Sequence, residues 1–341
     1  MTKKIIFYDT TLRDGNQAEN INFSVQDRIN ITKQLDDIGI DYIEGGWPGA
    51  SAGEKDFFNI AKKIKLKNSK LTAFCRTKKA LTPIKEDAQI KALMEAKTDA
   101  VSIFGKSRVL HIKYLMKNNS PQENFFMISD TVSYLKDNNK EVIYNAEQFF
   151  DGYKENKDYA LSTLKAALSA GADYLVLCDT NGGTLPFEIE SITKAVLKTL
   201  INDYGFDKKL VKIGIHAHND IGLAAANSIY AAKAGAIMVH GTINGYGERC
   251  GNADLTALIP ILKIKMNCEC NITLKQLEKL TELSKFAADT AIKPYNAYQP
   301  FVGENAFAHK ASMHISAIKK MPEAYEHMKP ELVGNINKIR K

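Results

Sequence analysis

Two histidines set two positions apart in the run Gly214-Ile215-His216-Ala217-His218-Asn219-Asp220 have the spacing of a metal site. The run reads as a β-strand passing into a loop. On a strand, side chains at i and i+2 point the same way with their Cα atoms roughly 7 Å apart. Two imidazoles on one face can converge on a single divalent ion if a carboxylate from elsewhere completes the set. Which carboxylate that is depends on the elements around the strand.

From Ile5-Ile6-Phe7-Tyr8 onward, short apolar runs alternate with amphipathic helical segments. Strands are expected at 5–8, 42–47, 71–76, 100–104, 142–145, 174–178, 212–216 and 237–240, with a first helix at 25–38. Eight β-then-α units over about 260 residues predict an α/β fold, a (β/α)8 TIM barrel, where an open doubly wound sheet has fewer strands. Gly39, Gly171 and Gly235 stand where helices end and the next strand begins, as C-caps. After residue 265 the alternation stops, and a helical pattern follows that is clearest at 274–288. The expected organisation is a catalytic barrel at 1–265 followed by a smaller helical C-terminal subdomain at 266–341.

With 341 residues, 45% hydrophobic and 25% charged, the chain can bury a sizeable core. Its net charge of +7 is spread along helix faces, as at Lys62, Lys63, Lys65 and Lys67, so no nucleic-acid partner is expected. A basic rim also suits a nucleotide-bearing coenzyme. No apolar run reaches the roughly 20 residues of a membrane span, and Met1-Thr2-Lys3-Lys4 leads straight into a strand pattern. No membrane partner and a cytoplasmic location are therefore expected. Five cysteines with no C-x-x-C spacing indicate neither a disulfide framework nor a structural zinc site.

In a TIM barrel the site forms at the C-terminal ends of the strands, and the polar residues cluster there. The first strand ends in Asp9-Thr10-Thr11-Leu12-Arg13-Asp14-Gly15-Asn16-Gln17, the second in Glu44-Gly45-Gly46-Trp47-Pro48-Gly49, the third in Arg76 and the fourth in Lys106. Asn145-Ala146-Glu147 ends the fifth, Asp179-Thr180-Asn181-Gly182-Gly183 the sixth, and Asn244-Gly245-Tyr246-Gly247-Glu248-Arg249-Cys250-Gly251-Asn252 the eighth. Closure sets strand 1 beside strand 8 and strand 8 beside strand 7. Asp14 is thereby two strands, on the order of 10 Å of backbone, from His216 and His218, within reach of a shared metal. Asn252 can add an amide oxygen. The set leaves positions for water or substrate, as catalytic sites do, and admits Zn, Mn, Mg or Co.

These strand-end motifs resemble those of the α-isopropylmalate, homocitrate and citramalate synthase family, metal-dependent acyl-CoA condensing TIM barrels. Phe104-Gly105-Lys106-Ser107, Phe149-Phe150-Asp151-Gly152-Tyr153 and the stretch 305–314 extend the resemblance over nearly the whole chain, towards the citramalate synthase branch. It implies that Asp14, His216, His218 and Asn252 bind the metal, and that Arg13 grips and polarises the keto oxygen of an α-keto acid. Metal and guanidinium together would stabilise the alkoxide formed on carbon attack. It also implies that Thr180 holds the keto-acid carboxylate and that Glu147 orders Arg13 and the acetyl group. Gln17 joins Arg13 and Thr180 as a substrate-binding candidate.

The tail segment 305–314 resembles the family segment that reaches over a neighbouring subunit's active site, where His314 would serve acetyl-CoA activation. A homodimer with exchanged tails is implied. Ala311-Ser312-Met313 departs from the branch's Gly-Gly-Ile and Arg108 from its Trp, which puts local packing in doubt. Most family members continue into a regulatory domain, which is not expected in a chain ending at Lys341. The expected reaction condenses acetyl-CoA with pyruvate, a short α-keto acid, to give citramalate and CoA. The base is open among His309, His314 and Glu147. A 2-isopropylmalate or homocitrate synthase, or a metal-dependent lyase, is the alternative; intact Arg13, Asp14, His216 and His218 speak against a catalytically dead scaffold.

Overall fold

A computed structural model describes residues 3–114 and 120–339. Met1 and Thr2, at the head of the expected N-terminal lead, and Arg340 and Lys341, in the expected tail, lie outside the described residues. The apolar runs become eight parallel strands closed into a barrel in chain order. They are β1 Ile6–Asp9, β2 Tyr42–Gly46, β3 Lys70–Arg76, β4 Ala100–Lys106, β5 Glu141–Glu147, β6 Tyr174–Asp179, β7 Ile213–Ala217 and β8 Met238–Gly241. The closing seam pairs β1 with β8 from Ile6↔Met238 to Asp9↔Gly241. Strands β4 and β5 outrun their expected ends by two residues because Gly105↔Ala146 and Lys106↔Glu147 continue the ladder.

The helix Val25–Ile38 forms where its signals place it. Ser24 and Asp27 make a reciprocal capping box at its start, and Gly39 closes it in the left-handed region at φ 89°. Gly171 and Gly235 also take positive φ, as C-caps require. Outside the strands, one apolar core joins barrel and helices through side chains such as Leu35, Phe57, Phe149 and Val196. Inside the barrel a second cluster, including Tyr8, Tyr42, Ile143, Tyr174 and Met238, fills the lumen. The floor of the site is thus packed and cannot act as a pore.

Beyond the barrel the expected helix at 274–288 is two helices, Leu274–Leu277 and Leu280–Thr290. Between them Gly334 crosses so close that a Cβ there would lie 1.9 Å from the Glu278 carbonyl oxygen. Thr281 Oγ1 donates to Val333 O at 2.6 Å, which holds that crossing in place. The tail continues through a helix, Ser312–Lys320, and a two-stranded parallel pair, Ala308–His309 with Lys338–Ile339. Among the described residues no helix is long and apolar enough to cross a membrane.

What positions the site is a set of ties among the loops that follow β1, β7 and β8. Thr10 N donates to Gly241 O at 2.8 Å and Ala253 N to Ala217 O at 3.0 Å. The loop after β8 folds back so that His218 and Asn252 pair in an isolated bridge. Gly251, at φ 90°, makes this possible, since a Cβ there would meet the Gly245 carbonyl oxygen at 2.0 Å. Thr11 is the buried pin between the first and last loops. Its Oγ1 accepts from Ile243 N at 2.9 Å and donates to Asp9 Oδ2 at 2.8 Å. Thr11→Val keeps the shape but orphans both partners. It should cost about 1–3 kcal/mol in urea unfolding, and a loss under half a kcal/mol would show that the pin is not holding the loops.

Candidate active site

At the C-terminal mouth of the barrel the three expected ligands meet. Asp14 sits at the turn after β1, held by Asp14 N donating to Thr10 O at 2.8 Å. His216 is the penultimate residue of β7 and His218 follows the strand's end, both buried. Asp14 Oδ2 lies 3.1 Å from His216 Nε2 and 4.0 Å from His218 Nε2. The two imidazole nitrogens face each other at 3.3 Å. A point equidistant from the three atoms lies about 2.1 Å from each, the length of a Zn–N, Zn–O or Mg–O bond. The three donor atoms therefore lie close enough together to share one divalent ion. Among the described residues this is the one group of His, Cys, Asp and Glu side chains so arranged.

Asn252 stands against the same triangle with its amide turned the other way from the expected ligand. Its Nδ2 donates to Asp14 Oδ2 at 2.8 Å, while Oδ1 is buried with no hydrogen-bond partner. The donor's preference for the carboxylate explains the orientation, and a half-turn of the amide exchanges the two atoms.

The electrostatics suit a cation. Burial alone would push Asp14 up, but the Arg13 guanidinium, then His216 and His218, outweigh it and hold the carboxyl well below its usual range. His218 is pushed down to about 4, by burial first and then by the neighbouring His216, so at neutral pH it offers a lone pair. His240 beneath them is likewise held well below its usual value by burial and by His216. Burial opposes the charge on Arg13, yet Asp14 and Glu44 more than restore it.

Arg13 is fixed on two sides. Its Nε donates to Glu44 Oε1 at 2.5 Å, and its guanidinium lies over the Phe74 ring at 4.1 Å from the centroid. The carboxylate that holds Arg13 in this structure is Glu44, whereas the expected Glu147 stands elsewhere for a register reason. Glu44 is on β2, next to β1, whereas Glu147 ends β5 opposite its ladder partner Lys106 and pairs with that lysine.

These groups line a cavity of about 340 Å³. Arg13, Gln17, Glu147, Thr180, His216 and His218 all reach it. Thr180 Oγ1 accepts from Gln148 N at 2.9 Å, which leaves its own hydroxyl hydrogen to donate into the cavity. One wall is aromatic. Trp47, Phe74 and Phe104 pack together with centroid separations of 5.8, 5.8 and 5.3 Å. His314 is not part of the lining; it stacks on Tyr325 at 4.0 Å in the tail. His309 Nε2 lies 3.8 Å from Glu326 Oε1, also in the tail. Sequence reasoning missed the roles of Glu44 and Phe74. Only the strand order, which puts β2 and β3 beside β1, could have signalled them.

Residues 4–284 match the family model described as HMGL-like, and residues 301–340 match one described as homocitrate synthase post-HMGL domain-like. The chain is 51% identical to an (R)-citramalate synthase of Aquifex aeolicus, over 99% of this chain and 62% of that relative. It therefore spans under two thirds of that relative's length. A 2-isopropylmalate synthase of Sulfurisphaera tokodaii is 34% identical over 99% of this chain and 82% of its own. The barrel superposes on a Bacillus subtilis HMG-CoA lyase with a TM-score of 0.69 at 22% identity, covering 86% of this chain and 95% of that one.

Because the three donors converge on one point, the double variant His216→Ala/His218→Ala should hold no stoichiometric divalent metal in equilibrium dialysis with elemental analysis, while its circular dichroism stays that of the parent. One retained equivalent per chain would refute the ligand assignment.

Proposed function

The chain belongs to the HMGL-like family, and on that premise we propose that it condenses acetyl-CoA with pyruvate to give citramalate and CoA. The observation that carries this reading is the fixed Arg13 guanidinium beside the Asp14, His216 and His218 triangle, in a cavity with an aromatic wall. Asp14, His216 and His218, with Asn252 after an amide turn, would hold the divalent metal; it would supply Lewis-acid polarisation of the keto acid. Mixed nitrogen and oxygen donors suit Zn, Mn, Mg or Co.

The chain's own residues divide the remaining work. Arg13 donates to the keto oxygen, which gains negative charge as a carbon nucleophile attacks, so its contribution is greatest in the transition state. Thr180 Oγ1 donates to the keto-acid carboxylate, and Gln17 lines the same cavity. Proton removal from the acetyl methyl falls to a base that reaches the thioester. Glu147, on the cavity wall, and His309 and His314, in the tail, are the groups proposed for it. Water then hydrolyses the citramalyl thioester and releases CoA.

Substrate choice rests on the aromatic wall. Trp47, Phe74 and Phe104 brace one another, and Phe74 also carries the Arg13 guanidinium, so the wall cannot retreat without disturbing the polarising group. A methyl substituent fits beside such a wall more readily than an isopropyl group. Pyruvate should therefore give a higher kcat/KM than 2-oxoisovalerate, read as CoA thiol release with a panel of keto acids. A preference for 2-oxoisovalerate would replace the citramalate reading with an isopropylmalate one.

We further propose a homodimer whose tails reach over the partner's barrel, since His314 stands apart from the cavity lining of its own chain. Exposed apolar tail residues, including Tyr298 and Met313, support this reading. Co-expression of His314→Ala chains with Asp14→Asn chains, each inactive alone, should restore part of the activity, because a heterodimer holds one site with both residues intact. Heterodimers that form without recovered turnover would place His314 in its own subunit's site or outside the chemistry.

A further inference from the structure

Tyr8, on β1, is wholly buried in the barrel lumen. Its hydroxyl is aimed at a charge and not at backbone. It donates to Glu44 Oε2 at 2.6 Å, with Thr72 Oγ1 2.9 Å from the same phenol oxygen. The other oxygen of that carboxylate, Oε1, is the one that takes Arg13 Nε at 2.5 Å. We propose that Tyr8 is a positioning residue for the condensation, acting through Glu44 to fix the Arg13 guanidinium against the keto oxygen. This rests on the reaction proposed above.

A glutamate's terminal torsion is broad, so a single donor leaves its carboxylate plane free to swing. Two donors on opposite oxygens remove that freedom. The anchor itself cannot move, because the Tyr8 ring stacks on His240 with centroids 3.9 Å apart and planes 11° apart. His240, the ladder partner of Tyr8 on β8, in turn packs edge-on against His216 at 5.6 Å. Burial, then the charge of Glu44, hold the phenol well above its usual range, so it remains a donor at any working pH. Phe74 sets the tilt of the guanidinium from below, and Glu44 sets its rotation within that plane. A phenylalanine would fill the lumen equally well, and what it lacks is the hydrogen bond to the carboxylate.

Tyr8→Phe separates positioning from packing. Its kcat with pyruvate should fall about tenfold to hundredfold, with the KM for acetyl-CoA within about twofold and bound metal unchanged. Combined with Glu44→Ala, which removes the side chain through which Tyr8 acts, it should add no further loss beyond about twofold. A readout independent of turnover is the Arg13 Nε–H resonance of ¹⁵N-labelled protein, assigned by its disappearance in Arg13→Lys. Its hydrogen exchange should quicken at least about tenfold in Tyr8→Phe. Unchanged exchange, or a kinetic loss that multiplies with that of Glu44→Ala, overturns the proposal. If no keto acid releases CoA in the parent while exchange still quickens in Tyr8→Phe, the positioning holds and the proposed reaction fails.

Discussion

The oxygen Asp14 Oδ2 is the point on which the mouth of this barrel depends, because groups from three strand ends compete for it. Asn252 Nδ2 reaches it at 2.8 Å, His216 Nε2 at 3.1 Å, Arg13 at 3.4 Å and His218 Nε2 at 4.0 Å. Those residues come from β1, β7 and the loop after β8, so the contact exists only when the sheet has closed. Closure is therefore a condition of the chemistry as well as of the fold. The seam Ile6↔Met238 to Asp9↔Gly241 and the pin at Thr11 bring the first and last loops into hydrogen-bond range. A buried carboxylate so crowded with donors stays ionised at a cost that the neighbouring guanidinium offsets.

Much of this was legible in the residues. The period of two along β7 set His216 and His218 on one face, and closure put Asp14 opposite them. The left-handed caps at Gly39, Gly171 and Gly235 marked where helices give way to strands. Glu44 was less legible, because its reach to Arg13 depends on the strand order β1–β2–β3 and on a register shift between Glu44 and Gly46. The resemblance gave the ordering of Arg13 to Glu147, whose side chain the structure pairs with Lys106. Tyr8 looked like one more apolar strand residue, since a lumen tyrosine and a lumen phenylalanine share the same hydropathy pattern. The break at Glu278 was invisible for a further reason. The chain that crosses there is Gly334, more than fifty residues later, and no local window contains both.

The two faces of the guanidinium environment show how packing and polarity divide one task. Phe74 offers a flat apolar surface that fixes tilt without competing for hydrogen bonds, and Glu44 offers direction. The same Phe74 belongs to the wall with Trp47 and Phe104, so on the proposed reading substrate size and carbonyl polarisation are mechanically linked. Enlarging the pocket for a bulkier keto acid by trimming Phe74 would also loosen Arg13. A change at Trp47 or Phe104 reaches the guanidinium only indirectly, through Phe74, which makes those two positions the less costly ones for altering the shape of the wall.

On the proposed reading, charge balance orders the binding of metal and keto acid. Asp14, Glu44 and Arg13 carry two negative charges and one positive charge in a site where both imidazole ligands need their lone pairs, so the set is net negative. An α-keto carboxylate entering first would add a third negative charge beside these buried groups, which is costly. A divalent cation entering first reverses the sign, and the carboxylate of the keto acid then brings the sum to zero beside Arg13. The neighbouring Lys106–Glu147 pair is neutral overall and does not alter this balance. On the proposed reading, the protein's own buried charges therefore make metal before keto acid the favoured sequence, and they leave the uncharged thioester carbon to arrive last at a site already neutral.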